Sequence, residues 1–153
     1  MREAIGGTWL YGLVLTFIVF FASFLAISIN YSKAFNVKNN IVDILSKYEG
    51  NNCNSREKIS EYLKDVGYLV TGKCDSGYIG YNLNGDFVSS DKAYYCVASD
   101  STASTTALEK SLYRVEIFFK VNLPIIGELT TFKIKGETEY VFFPEDNVYA
   151  SCS

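Results

Sequence analysis

Histidine is absent from the 153 residues of this chain. That single absence removes the commonest general base and the commonest metal ligand. Basic charge is short as well: 14 Lys and Arg stand against 17 Asp and Glu, a formal net charge of -3. No positive field is therefore available for nucleic acid. No serine stands in a G-x-S-x-G context, and no glycine-rich loop is suited to cradle a phosphate. No C-x-x-C pair exists to start a zinc site. The expectation is a chain with no catalytic residues, no metal, no cofactor and no nucleic-acid partner.

Charge is missing from one further place. From Trp9 to Ile29 no residue is charged, and about 20 apolar residues suffice to cross a hydrocarbon core. Trp9 and Tyr11 at one end and Tyr31 at the other suit an interfacial aromatic belt. Phe17, Phe20, Phe21 and Phe24 lie between them and are candidates for contact with lipid or with another helix. A buried core helix of this length would show a polar face, and none is present. Arg2, the apolar run and the small triplet Ala26-Ile27-Ser28 can also be read as a cleavable export signal. The run exceeds the usual signal length, so a retained transmembrane helix within residues 1–30 is expected, followed by a domain over 31–153. Lys33, Lys38 and Lys47 after the run argue by simple counting for a cytoplasmic domain. The even number of cysteines argues for an oxidising compartment. Long domains translocate largely regardless of charge, so the domain is expected outside and the N-terminus in the cytoplasm.

No proline or glycine interrupts the chain after Ile29. Tyr31, Phe35, Ile41, Val42, Leu45 and Tyr48 recur at spacings near three and four, one stripe of an amphipathic helix. Gly50, Asn51 and Asn52 supply the stop. The spacing predicts one rod of roughly 40 residues, about 60 Å long, apolar in its first half and two-faced in its second.

Beyond the rod, Asn54 with Glu57 predicts a capped second helix whose face is Ile59, Tyr62, Leu63 and Val66, closed by Gly67. The period then shifts to two. Strands are expected over 68–71, 77–81 and 92–98, with Asn84-Gly85 as a turn and 99–107 as a polar loop. The strongest alternation runs over 113–121, where Tyr113, Val115, Ile117, Phe119 and Val121 predict a buried face. Arg114, Glu116, Phe118 and Lys120 predict a mostly wet one. A second alternating segment around Phe132 and Ile134 should pair with it as a hairpin and cover the amphipathic half of the rod. The expected class is α+β: a long N-terminal helix, a short second helix and a small antiparallel sheet packed on the rod.

Cys53, Cys74, Cys96 and Cys152 permit three disulfide pairings. Cys53 with Cys74 would close a short loop, and Cys96 with Cys152 would pin the tail. Glu137, Glu139, Glu145 and Asp146 are expected on a solvated face.

The N-terminal "GGTWLYGLVLTFIVFFASFLAISINYSKAF" and the C-terminal "YRVEIFFKVNLPIIGELTTFKIKGET" together resemble pilin-like proteins. In particular they resemble the TadE-like pseudopilins of tight-adherence (Flp-type) pilus systems. The resemblance implies a membrane-inserted, non-catalytic subunit that helps build a type IV-like filament. Its implied partners are the lipid membrane, other pilin-like subunits and the assembly machinery, met through the N-terminal helix by Trp9, Tyr11, Phe17, Phe20, Phe21, Phe24, Tyr31 and Phe35. The family pattern has a glutamate shortly after a glycine cleavage point. Here Gly6 and Gly7 precede Thr8 and Trp9, and Glu3, upstream, is the carboxylate available for N-terminal charge pairing. The other expectation is a single-pass anchored binding module that meets an extracellular ligand through residues 99–107.

Overall fold

The computed structural model describes residues 2–102, 110–123 and 127–142 and, within those, every side chain except those of 2–6, 101–102, 122–123 and 127–130. The class is α+β, as the patterning predicts. One helix, α1 (Arg2–Lys47), takes up 46 residues and is about 70 Å long at the α-helical rise. It crosses from residue 29 to residue 35 without a bend or coil. Its end is set by backbone conformation. Glu49 (φ 56) and Gly50 (φ 138) both leave the right-handed region, and the Gly50 N–H closes back on the Leu45 carbonyl at 3.0 Å.

The chain turns at once into α2 (Cys53–Asp65). Its cap is Asn52, two residues ahead of the predicted Asn54. The Asn52 side chain accepts from the Ser55 N–H at 2.9 Å, and the Ser55 hydroxyl accepts from the Asn52 N–H at 3.1 Å. Serine therefore takes the box position predicted for Glu57. Such a cap contributes about 1 kcal/mol. Ile59 and Leu63 are buried, while Tyr62 and Val66 are half-buried on the same face. Gly67 (φ 60) closes the helix.

The strands are β1 (Ile79–Tyr81), β2 (Phe87–Val88), β3 (Tyr95–Thr102), β4 (Lys110–Leu123), β5 (Gly127–Glu137) and β6 (Val141–Phe142). They form one antiparallel sheet in the order β2-β1-β3-β4-β5, with β6 against the start of β4. The Asn84-Gly85 turn joins β1 to β2 as expected: Gly85 has φ 82, and the Asn82 carboxamide oxygen accepts from the Asn84 and Asp86 N–H groups. The β4–β5 hairpin is also as expected, with Ile117 opposite Ile134 and Phe119 opposite Phe132.

Three strand expectations need correction. Residues 68–71 form no strand. The Tyr68 hydroxyl instead donates to the Phe118 carbonyl and accepts from the Phe118 N–H, so a side chain takes the place of a ladder partner. The third strand starts later than predicted, at Tyr95, and runs through Ser99 to Thr102, which the polar composition had marked as loop. The register of Ser99 with Tyr113 and of Thr102 with Lys110 explains this, because β4 is long enough to extend its neighbour. Residues 103–109 of that expected loop lie outside the described residues.

The core lies between α1, α2 and one face of the sheet. Ala34, Val37, Ile41 and Leu45 form the buried stripe of α1, against Tyr113, Val115 and Ile117 of β4. Burying the last three of that stripe contributes about 5–9 kcal/mol before entropy is counted. The predicted stripe was rotated towards Tyr31 and Phe35, which stay exposed. Ala34, Val37, Ile41 and Leu45 themselves fall three and four apart, and the helix lies close enough to β5 that the stem of Lys38 fills the space where a side chain at Gly136 would project.

The opposite face of β4 is not wet. Glu116 and Phe118 are fully buried there. Residues 68–75 fold over that face, placing Gly72 directly on the Phe118 ring, and Cys74, Ala93, Cys96 and Phe118 make a second apolar cluster.

Candidate functional site

The first half of α1 buries none of its large apolar side chains. Trp9, Tyr11, Phe17, Phe20, Phe21 and Phe24 are all exposed, as is every other large apolar residue between them. This is one N-terminal helix long and apolar enough to cross a membrane. Residues 9–29 span about 30 Å along the axis, the thickness of a hydrocarbon core. Three of its polar side chains find partners within the helix. Thr16 donates to the Gly12 carbonyl, Ser23 to Val19 and Asn30 to Ala26, all at 2.9–3.0 Å. A helix that satisfies its own hydroxyls needs no water at those positions.

One face of this bare segment is an open furrow. Thr8, Gly12 and Thr16, four residues apart, form its floor, and Trp9, Leu13, Phe17 and Phe20 form its walls. Nothing closes it from the opposite side, so it suits a second helix or lipid chains rather than an enclosed small molecule. Small residues at every fourth position let helix backbones approach in lipid. Phe17 and Phe21 pack on each other one turn apart, with ring centroids at 5.2 Å. Glu3 lies within α1, and its side chain is outside the described set.

Tyr31 and Phe35 mark where the bare segment meets the domain. Their rings stack at 6.3 Å, and Tyr31 also meets Phe119 of β4 edge-on at 5.9 Å. Phe119 stacks in turn on Phe132 at 5.3 Å. The sequence supplied these four aromatics separately; the fold joins them into one row.

The cysteines pair differently from the two bridges weighed above. Cys74 bonds Cys96, with Cα atoms 5.9 Å apart. The cause is local: Gly72 bridges to Ala93 and Gly80 pairs with Cys96, and the Cys74 sulfur sits over Gly80, where a side chain would meet it and Ala93. Cys53 is also disulfide-bonded, and Cys152 lies outside the described residues.

Two polar arrangements were not foreseen. Arg56 is fully buried under the β1–β2 turn, 5.6 Å from the Tyr81 ring centre and 3.4 Å from the Gly85 carbonyl. The second is a charged cluster on the far face of the sheet. The Asp75 carboxylate accepts from Lys133 and, at 2.6 Å, from Lys135. The buried Glu116 carboxylate lies 3.9 and 3.6 Å from the same two amines and accepts from the Asp75 N–H at 3.0 Å. The two lysines hold the Asp75 carboxyl well below its ordinary range, whereas burial pushes Glu116 up. Both β5 lysines come from alternate positions of one strand, and the register of Glu116 with Lys135 places the acid opposite. No group of three His, Cys, Asp or Glu side chains that could hold a metal occurs among the described residues. The clefts in the domain surface are shallow, about 110 Å³ beside Tyr68 and about 270 Å³ between α1 and α2.

Compared with protein-family models, with curated proteins and with solved structures, the chain matches none of them.

Proposed function

We propose that this chain is a membrane-inserted, non-catalytic structural or assembly subunit of a type IV-like filament, a pilin-like protein of the TadE kind. Its α+β domain stands outside the cell, and its N-terminal helix is the surface through which copies or related subunits pack. The observation that carries the proposal is the division of α1. One continuous helix is packed under its own domain from Ala34 to Leu45 and leaves every large apolar side chain from Trp9 to Ile29 exposed. A flexible linker would serve a simple tether. A rigid helix carried without a break out of the domain fixes the angle and height of one subunit against the next. The furrow at Thr8, Gly12 and Thr16 supplies a face for such packing.

The test is recovery of the subunit with surface fibres sheared from cells that express it. The native chain is expected in the fibre fraction. Phe17→Asp, which places a charge in mid-membrane, should remove it from both membrane and fibres. Gly12→Leu keeps the segment apolar but fills the furrow, so it should stay in the membrane fraction and be lost from the fibres. A native chain that remains a monomer in the membrane, with none in sheared material, overturns the filament reading.

A further inference from the structure

We infer that the membrane-facing end of the sheet is itself a lipid-docking surface, so that the domain sits on the bilayer its helix crosses instead of standing off it. The inference rests on the reading of residues 9–29 as membrane-spanning and adds a second, independent contact with lipid. Its occupant is the headgroup layer of that bilayer, with anionic phospholipid preferred.

Helix continuity sets the level. Tyr31 lies two residues beyond Ile29, about 3 Å along the axis, so headgroups that surround the end of the apolar run also reach the Tyr31 ring. Phe119 touches Tyr31, and Phe132 stacks on Phe119, which places all three rings at one height. The direction of β4 carries the surface further. Gly136, opposite Val115, meets Lys38 of the helix, whereas Phe119 meets Tyr31. As β4 advances, the helix is read backwards, so the strand points into the membrane. The backbone of Leu123, paired with Gly127, is four residues past Phe119, at most about 13 Å further along that direction.

Helix burial agrees. The shielded stripe of α1 does not stop at Ala34 but continues through Asn30, Ala26 and Ser23, half-buried, while Ser28 on the opposite face is exposed. Strand and helix thus run side by side for two turns within the apolar run.

The chemistry at this level fits an interface. Leu69 is 71 % exposed, Tyr31 49 % and Phe132 44 %, large apolar groups that the domain leaves open to the outside. Leu69 shares a shallow cleft with Lys33 and Lys120, and neither lysine is in an ion pair among the described residues. The chain as a whole is acidic, yet from residue 30 to residue 42 the helix carries Lys33 and Lys38 and no carboxylate, and past Glu116 the charge on β4 is Lys120. Glu128 of β5 is also at this end, and its side chain is outside the described set. Aromatic rings and lysines at one height match the headgroup layer, where rings lie half-immersed and amines meet phosphate.

The experiment is quenching of tryptophan emission by phospholipids brominated near the headgroup, on the full chain reconstituted in vesicles. Trp9, the one native tryptophan, reports insertion of the helix. In a Trp9→Phe background, Phe132→Trp and Leu69→Trp report the proposed surface. Phe142→Trp, opposite Lys110 at the other end of β4 and about 30 Å from Phe119, is the control. Expected is loss of emission for Trp9, Phe132→Trp and Leu69→Trp, and none for Phe142→Trp. Quenching at 69 and 132 should deepen when zwitterionic lipid is replaced by anionic lipid, and Lys33→Glu with Lys120→Glu should abolish that gain. If Trp9 is quenched while 69 and 132 are not, the docking surface is refuted and the anchor stands. If Trp9 is not quenched, the spanning helix fails and this inference falls with it.

Discussion

Ile41 and Phe17 belong to one unbroken helix, yet Ile41 is 0 % exposed and Phe17 is 60 % exposed. Both are large and apolar, and both would leave water readily. What separates them is the company the fold provides. Around Ile41 the helix is amphipathic and meets β4 and α2 with one stripe; around Phe17 it is apolar on every side and meets nothing. The half around Ile41 resembles a helix designed for a protein interior, and the half around Phe17 one whose interior must be supplied by something else. Lipid can supply it on all faces at once, and neighbouring helices on some.

A single substitution placed in each half breaks that comparison most sharply. Ile41→Asp puts a carboxylate between the helix and the sheet with no partner, which should cost at least about 4 kcal/mol and unfold the domain. Phe17→Asp should leave the melting temperature of the domain in detergent unchanged, and should instead oppose insertion by about 3 kcal/mol. Thermal melts followed by circular dichroism, with membrane fractionation of the same variants, read both effects. A domain destabilised equally by both substitutions would show that the bare half packs on the domain after all.

The next comparison is between the two faces of the sheet. The helix side is held by apolar packing; the far side has the Cys74–Cys96 bridge over a small cluster. Closing a loop with a sequence separation of 22 stabilises by about 3 kcal/mol through the unfolded chain. Replacing both cysteines with alanine should lower stability by that order. Amide exchange should rise first in residues 68–79, with the protection of residues 34–45 little changed. Uniform loss of protection would mean that the two faces are one cooperative unit.

The rod was legible because its signals are absences: of charge from Trp9 to Ile29, and of proline and glycine from there to Gly50. The β4–β5 pair was legible from a clean alternation on both strands. The errors share a cause. Tyr31 and Phe35 are expected under the sheet because they are large and aromatic, whereas the residues buried there, Ala34, Val37, Ile41 and Leu45, keep the same three-and-four spacing one position round the helix. Glu116 and Phe118 were placed in water because alternation describes one strand and knows nothing of what covers its second face. The cover, residues 68–75, arrives from a distance in sequence and is held by the Tyr68 hydroxyl and a disulfide, neither of which has a periodic signature. Asn52 and Asn54 are equally good caps by type, and only the path from Gly50 decides between them. The row from Tyr31 to Phe132 was visible as residues and invisible as a site, since its members come from α1, β4 and β5.

The smallest expected effect concerns the two carboxyls of the far face, which should respond to pH with opposite signs. Asp75 is held below its ordinary value of 3.8 by Lys133 and Lys135. The unfolded chain therefore binds its proton more readily, and the stability Asp75 contributes is present above that value and lost as pH falls beneath it. Glu116 is raised above 4.5 by burial, so the folded chain binds that proton more readily and stability falls as pH rises from 4.5 upward. Asp75→Asn should flatten the acid limb of the melting-temperature curve. Glu116→Gln, which fixes the neutral form, should raise the melting temperature near neutral pH, and the gain should vanish below pH 4.5. A Glu116→Gln variant less stable than the native chain at neutral pH would mean that the two lysines outweigh the desolvation of Glu116. The far face would then be held by charge pairing across β4 and β5 as well as by its disulfide, and its contrast with the apolar helix side would be sharper still.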